Sequence, residues 1–171
     1  MFDYLNTIKS NKELVQALRC HIDFELTDCG LDDLCAYSRI SFSVFGCDGS
    51  GGLFGFIGEG NTNSLAIGYV SSEGQVGRIA ANLTDFFHLI VFHPMRWQNL
   101  IGKDTKEMER YSNEMKFDDE VKEAQQIAVE AFNLKKENYS VSKFHSALME
   151  LPKFVVYTND DRDEEWEDLL K

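Results

Sequence analysis

Apolar positions in the first third of the chain recur at helical spacing and then at strand spacing. Phe2, Leu5 and Ile8 predict a short amphipathic helix over residues 2–9. Ser10 with Glu13 makes a capping-box pattern ahead of Leu14, Val15 and Leu18, which predicts a helix through about residue 20. Residues 22–26 read as a strand, and residues 31–37 as a short helix with Asp28 at its N-terminal end. The alternation of Ile40, Phe42 and Val44 with Ser41, Ser43 and Phe45 predicts another strand. From residue 45 to residue 89, glycine clusters alternate with short apolar runs. Residues 53–57 and 65–70 predict two buried strands and residues 77–80 a third, before Asn82 caps a helix with Asp85 in its first turn. Glycine has no Cβ and tolerates φ > 0, so the run Gly49-Ser50-Gly51-Gly52 predicts a tight reversal with Gly51 or Gly52 in the left-handed region.

The second half is patterned for helices. Pro94 interrupts, and residues 104–115 are charged and helix-prone. Asp118 caps a helix whose Val121, Ala124, Ile127, Ala128, Ala131 and Phe132 share one face. Ser140 or Ser142 opens another, carrying Phe144, Leu148 and Met149 to the boundary before Pro152. Residues 154–157 are β-prone and suit an edge strand. Residues 160–171 are too charged to bury except at Trp166, Leu169 and Leu170. There is no internal repeat and no interdomain linker. The expected organisation is one domain over residues 1–159 followed by an acidic tail over 160–171.

Phe45, Gly46, Asp48, Gly49, Ser50, Gly51 and Gly52, followed by Ser72, Glu73, Gly74, Gly77, Ala80, Asn82, Leu83, Asp85 and Phe86, form two ordered half-motifs. They resemble the pattern of the SUKH superfamily, whose members include bacterial toxin-immunity proteins and fungal cell-wall regulators. The departures are Ile57 where the family often has Trp, Val70-Ser71 for Leu-Gly, and Gln75 for Glu. The resemblance covers about a quarter of the chain. It implies an α+β fold: a single domain with a mixed, largely antiparallel sheet and flanking helices, SUKH-like. It implies partner binding rather than catalysis.

Charge narrows the partner. The chain of 171 residues has a formal charge of −12, and residues 160–171 alone carry seven acids and two bases, a net of −5. Such a surface repels phosphate backbones and anionic headgroups and attracts basic proteins, which argues against nucleic acid and membrane as partners. The opening residues carry neither a basic nor an apolar signal region, and no apolar run is long enough to span a bilayer, so the expectation is cytoplasmic. Cys20, Cys29, Cys35 and Cys47 are then expected as reduced thiols, and their separations fail the paired spacing of structural zinc sites. A chain of this length with 43% hydrophobic residues, thirteen of them Phe, has a core without staples.

Candidate chemistry is sparse. The glycines at 49, 51 and 52 do not make a phosphate loop, because Phe54 stands where the third glycine belongs and no Gly-Lys-Ser/Thr follows. Ser71, Ser72, His88 and Glu73 lack every local context of a nucleophile, base and orienter. His88 and His93 are five residues apart, so they leave a helix on different sides, unlike metal-binding pairs; no cofactor or metal is expected. Glu73 has two readings, a carboxylate that fixes its own turn or part of a polar partner-binding lip with Asp48 and Glu59. The tail likewise has two, a solvated end or a segment docked through Trp166 and Leu169-Leu170. The partner-binding candidates are therefore Asp48, Glu59, Glu73, Asp160, Asp161, Asp163, Glu164, Glu165 and Trp166. The expected function is non-enzymatic: an immunity protein that neutralises a cognate, basic polymorphic toxin by direct binding. The alternatives are a regulatory adaptor or scaffold and an uncharacterised hydrolase.

Overall fold

The computed structural model describes residues 2–160 and 162–171. Helices α1 (Tyr4–Ser10) and α2 (Lys12–Ala17) meet at Asn11, whose side chain accepts the Leu14 N–H and caps α2. Ser10 does not take that role, because its hydroxyl donates to the Asn6 and Thr7 carbonyls at 2.8 and 3.1 Å and closes α1 instead. A π-turn over Leu18–Ile22 then ends at Asp23 in the left-handed region, so the strand expected from residue 22 shrinks to β1 (Glu25–Leu26). The helix expected over 31–37 is a single 3₁₀ turn, Leu31–Leu34. It stops at left-handed Cys35 and passes into β2 (Ala36–Tyr37).

The chain next lays down β3 (Phe42–Cys47), β4 (Leu53–Ile57), β5 (Ala66–Val70) and β6 (Gln75–Ala80) as an antiparallel meander. Helix α3 (Leu83–Phe92) follows, capped by Asn82 accepting the Asp85 N–H at 2.9 Å. After a 3₁₀ turn at Trp97–Leu100 come α4 (Thr105–Glu114), α5 (Asp119–Phe132, capped by Asp118) and α6 (Val141–Met149, capped by Ser140). The end adds β7 (Tyr157–Thr158) and β8 (Glu167–Asp168). The main sheet runs β1-β3-β4-β5-β6-β8, and among the described residues only the β6–β8 pair is parallel; β2 and β7 form a separate two-stranded sheet. The fold is α+β.

Both faces of the central strands are covered, which is why β4 and β5 read as apolar runs rather than as alternation. One face, through Phe54, Phe56, Ile67, Tyr69 and Ile79, packs on the helices in a core threaded by Phe24, Phe86, Phe87 and Phe132. The other, through Ile57, Val70 and Val76, is covered by Ala36, Phe154 and Val156 of the small sheet and its approach. Residues 154–157 thus act mainly as a lid on the main sheet, and Met149 is exposed on α6 rather than joining Phe144 and Leu148.

The acidic tail is docked on the domain. The N–H groups of Trp166, Glu167 and Leu169 donate to the carbonyls of Val156, Gly74 and Val76 at 2.9, 3.0 and 2.9 Å. Leu169 is buried over Gly77, and Trp166 is half-buried against the second core. The cysteines are free; Cys20, Cys29 and Cys35 are exposed and Cys47 is half-buried. No helix among the described residues is long and apolar enough to cross a membrane.

Candidate functional site

The glycine-rich half-motif closes around a buried carboxylate. Oδ1 of Asp48 accepts the N–H groups of Ser50 and Gly52 at 3.0 and 2.8 Å and the Ser50 hydroxyl at 2.7 Å. Oδ2 accepts the Tyr69 hydroxyl at 2.7 Å. Burial first, and then the bond to Asp48, pushes the Tyr69 phenol well above its ordinary value, so it stays a donor. Asp48 is 5% exposed and its lone pairs are engaged, which removes it from the expected partner-binding lip. Of the two glycines flagged for positive φ, Gly51 adopts it at +87°. Gly52 is required for a different reason: a Cβ there would lie 2.6 Å from the Tyr69 ring.

The second half-motif makes the neighbouring turn. Oγ of Ser71 accepts the N–H groups of Glu73 and Gln75 at 3.3 and 3.0 Å, so the serine fixes this reversal. Neither expected role of Glu73 is fully met. Its exposed carboxylate makes no hydrogen bond among the described residues, and it stands with Ser50 and Ser72 on the rim of a cleft of about 380 Å³ floored by Tyr69 and Leu169. The β4–β5 register pairs Leu53 with Val70 and Ile57 with Ala66, so Glu59 lies at the other end of the sheet from Glu73. A strand of five residues separates them by roughly 17 Å. The lip of Asp48, Glu59 and Glu73 therefore does not exist as one surface.

Glu59 instead joins part of the tail. It lines a shallow cleft with Asp32, Tyr37, Arg39 and Ile40. The Tyr37 hydroxyl donates to Asp163, and the Arg39 guanidinium reaches the same carboxylate at 3.2 Å while covering the Tyr157 ring at 4.3 Å. Asp160 accepts from Arg162, which also pairs with Glu164 at 3.6 Å; the Arg162 bonds hold the Asp160 carboxyl below the usual range. Asp160, Glu164 and Glu165 are exposed, Trp166 is half-buried, and Asp161 lies outside the described residues. The result is a cleft bearing Asp32 and Glu59 beside Ile40, which is 48% exposed, with the tail's Asp163 joined to it through Tyr37 and Arg39.

His88 of α3 and His93, which caps its C-terminus, are both buried and locally bonded. His88 reaches the Thr84 and Lys135 carbonyls at 2.8 and 3.3 Å. His93 lies between the hydroxyls of Ser112 and Tyr139, each at 2.7 Å. This relay was invisible in the sequence because its members come from three separate segments. Burial pushes the His93 imidazole from 6.5 down to about 4. The unfolded chain therefore binds more protons than the folded one between those values, and stability falls as pH drops from 6.5 towards 4. Denaturant titrations at both ends of that window are expected to show a loss on the order of 3 kcal/mol attributable to this group, and His93→Gln should flatten the slope. An unchanged slope in the variant would contradict the assignment.

Among the described residues, no group of three His, Cys, Asp or Glu side chains is placed to hold a metal ion. No protein-family model, no curated protein and no solved structure matches this chain.

Proposed function

We propose that this chain is a SUKH-type immunity protein that binds and neutralises a cognate, basic toxin domain in the cytoplasm, without catalysis. The observation that carries the reading is the cleft in which Asp32, Glu59 and Arg39 stand around exposed Ile40, with Asp163 attached through Tyr37 and Arg39, an apolar centre with charged neighbours of the kind that suits a protein partner. The two half-motifs that resemble the family add support, since they fold into adjacent turns at one end of the sheet. Fold alone does not assign function, so the partner has to be tested.

The test is association kinetics with the product of the adjacent reading frame across a salt series. A charge of −12 steers a basic partner, and salt screens that field over about 8 Å at 0.15 M. Glu59→Gln with Glu164→Gln is expected to slow association about three- to tenfold and to weaken its salt dependence. Ile40→Ser should act mainly on dissociation. Glu73→Gln, on the other end of the sheet, should change neither. If Glu73→Gln carries the effect instead, the contact face moves to the Ser72–Glu73 rim. If no basic protein binds at any salt concentration, the adaptor alternative takes over.

A further inference from the structure

A second cleft, built from other elements, has the opposite character. It has a volume of about 390 Å³ between the end of α3, the last turn of α4, the N-terminal half of α5 and Tyr139. That is within the size range of small-molecule sites. We infer that this cleft binds a small anion carrying one aromatic ring, an aryl carboxylate or an aryl phosphate.

Charge is the first observation. The chain has 29 acids against 17 bases, yet among the described residues the cleft is lined by Lys122 and Lys136 and by no carboxylate. Lys122 is partly neutralised by Asp119 at 2.8 Å, whereas Lys136 has no ion pair among the described residues. Lys136 lines the cleft together with Ser112 and Tyr139 of the relay.

The floor is the second. Phe92 and Tyr139 are half-buried with ring centroids 5.4 Å apart at 37°, and Phe117 lines the same space. These rings offer stacking and edge contacts to a planar group, worth more than their area alone.

Proton counting supplies the third. Ser112, neutral His93 and Tyr139 hold three polar protons between them and make two hydrogen bonds. If the Tyr139 hydroxyl donates to Nδ1, Nε2–H donates to Ser112 and the serine proton is left over. In the other tautomer Ser112 donates to Nε2, Nδ1–H donates to Tyr139, and the phenol proton is left over. One hydroxyl donor therefore remains in either case. Both hydroxyl-bearing residues line the cleft, and neither hydroxyl has another partner among the described residues. Ser112 and Tyr139 are half-buried at the cleft, so this donor is free to meet a ligand, and an anion beside Lys136 would accept from it in a charge-assisted hydrogen bond.

The site makes no appeal to the toxin-binding reading. Its test is NMR titration of the full chain with phenylacetate, phenyl phosphate and the neutral isostere phenylacetamide. At least one anion is expected to saturate shifts at Ser112, Gln125 and Tyr139 and to bind about tenfold more tightly than the amide. Whichever anion is tighter identifies the ligand class. Lys136→Gln, an exposed change that leaves the fold intact, should weaken binding about tenfold, and Ser112→Ala should weaken it further; Lys106→Gln, outside the cleft, should not. The inference is overturned if the amide binds as tightly as both anions, if Lys136→Gln binds like wild type, or if neither anion gives saturable shifts up to about 10 mM.

Discussion

Gly52→Val is expected to destabilise the chain by about 3–5 kcal/mol, combining overpacking with a broken buried hydrogen bond to a carboxylate. The new Cβ would meet the Tyr69 ring at 2.6 Å, and the ring has little room to move because Phe54 and Trp97 pack against it at 5.1 and 4.9 Å. Displacing Tyr69 removes the donor on Oδ2 of Asp48 and leaves that carboxylate buried with one oxygen unpaired. Gly51→Ala tests a separate cause. Its neighbour space is open, with Ser72 Cβ at 3.8 Å, but its φ of +87° penalises any Cβ by about 1–3 kcal/mol. Lys106→Ala, on the exposed face of α4, should stay within about 0.5 kcal/mol. Denaturant titrations read all three, and a Gly52→Val chain as stable as wild type would refute the close approach of Tyr69.

Truncation after Asn159 is expected to cost at least the ~2–5 kcal/mol that a buried leucine contributes, a large share of a typical domain's stability. The deleted segment includes Leu169, 6% exposed, and the hydrogen bonds that attach β8 to β6. It also uncovers part of the second core, against which Trp166 packs. Leu169→Ala should reproduce a substantial part of the loss, whereas Glu164→Gln with Glu165→Gln should leave the thermal melt nearly unchanged, because both side chains are exposed. A truncated chain that melts with wild type would mean the tail is only a solvated appendage. For the same reason truncation is a poor probe of steering. Charge and packing are entangled in it, and the neutralising substitutions separate them.

The segment expected to act on partners divides differently from its sequence pattern. Asp48 belongs to a motif that the family resemblance marks, but its oxygens face inward to Ser50, Gly52 and Tyr69. The residue doing the turn-fixing expected of Glu73 is Ser71, two positions earlier. Glu59 and Asp163 are far apart in the chain, yet both meet Tyr37 and Arg39, the first as a neighbour in the cleft and the second through hydrogen bonds, because the small sheet carries those residues to the β4 end. No local pattern reports such a juxtaposition.

By itself the sequence determined the elements whose signals are local. Short apolar runs between glycine turns marked β4 and β5, the period of Val121, Ala124, Ala128 and Phe132 marked α5, and Asn82 and Asp118 marked the starts of α3 and α5. These signals survive because cap hydrogen bonds and turn conformations are satisfied within a few residues. Tertiary structure decided what competes over distance. Ser10 was drawn into α1, residues 31–37 were split so that Ala36 could pair with Thr158, and a tail with a net charge of −5 was docked as a parallel strand. Backbone hydrogen bonds and two apolar anchors outweigh the charges there, since Asp163, Glu164, Glu165 and Glu167 stay in water while Leu169 does not. The Ser112–His93–Tyr139 relay and its cleft belong wholly to this second class, because only the packing of α3, α4 and the Tyr139 segment brings their side chains within hydrogen-bonding distance.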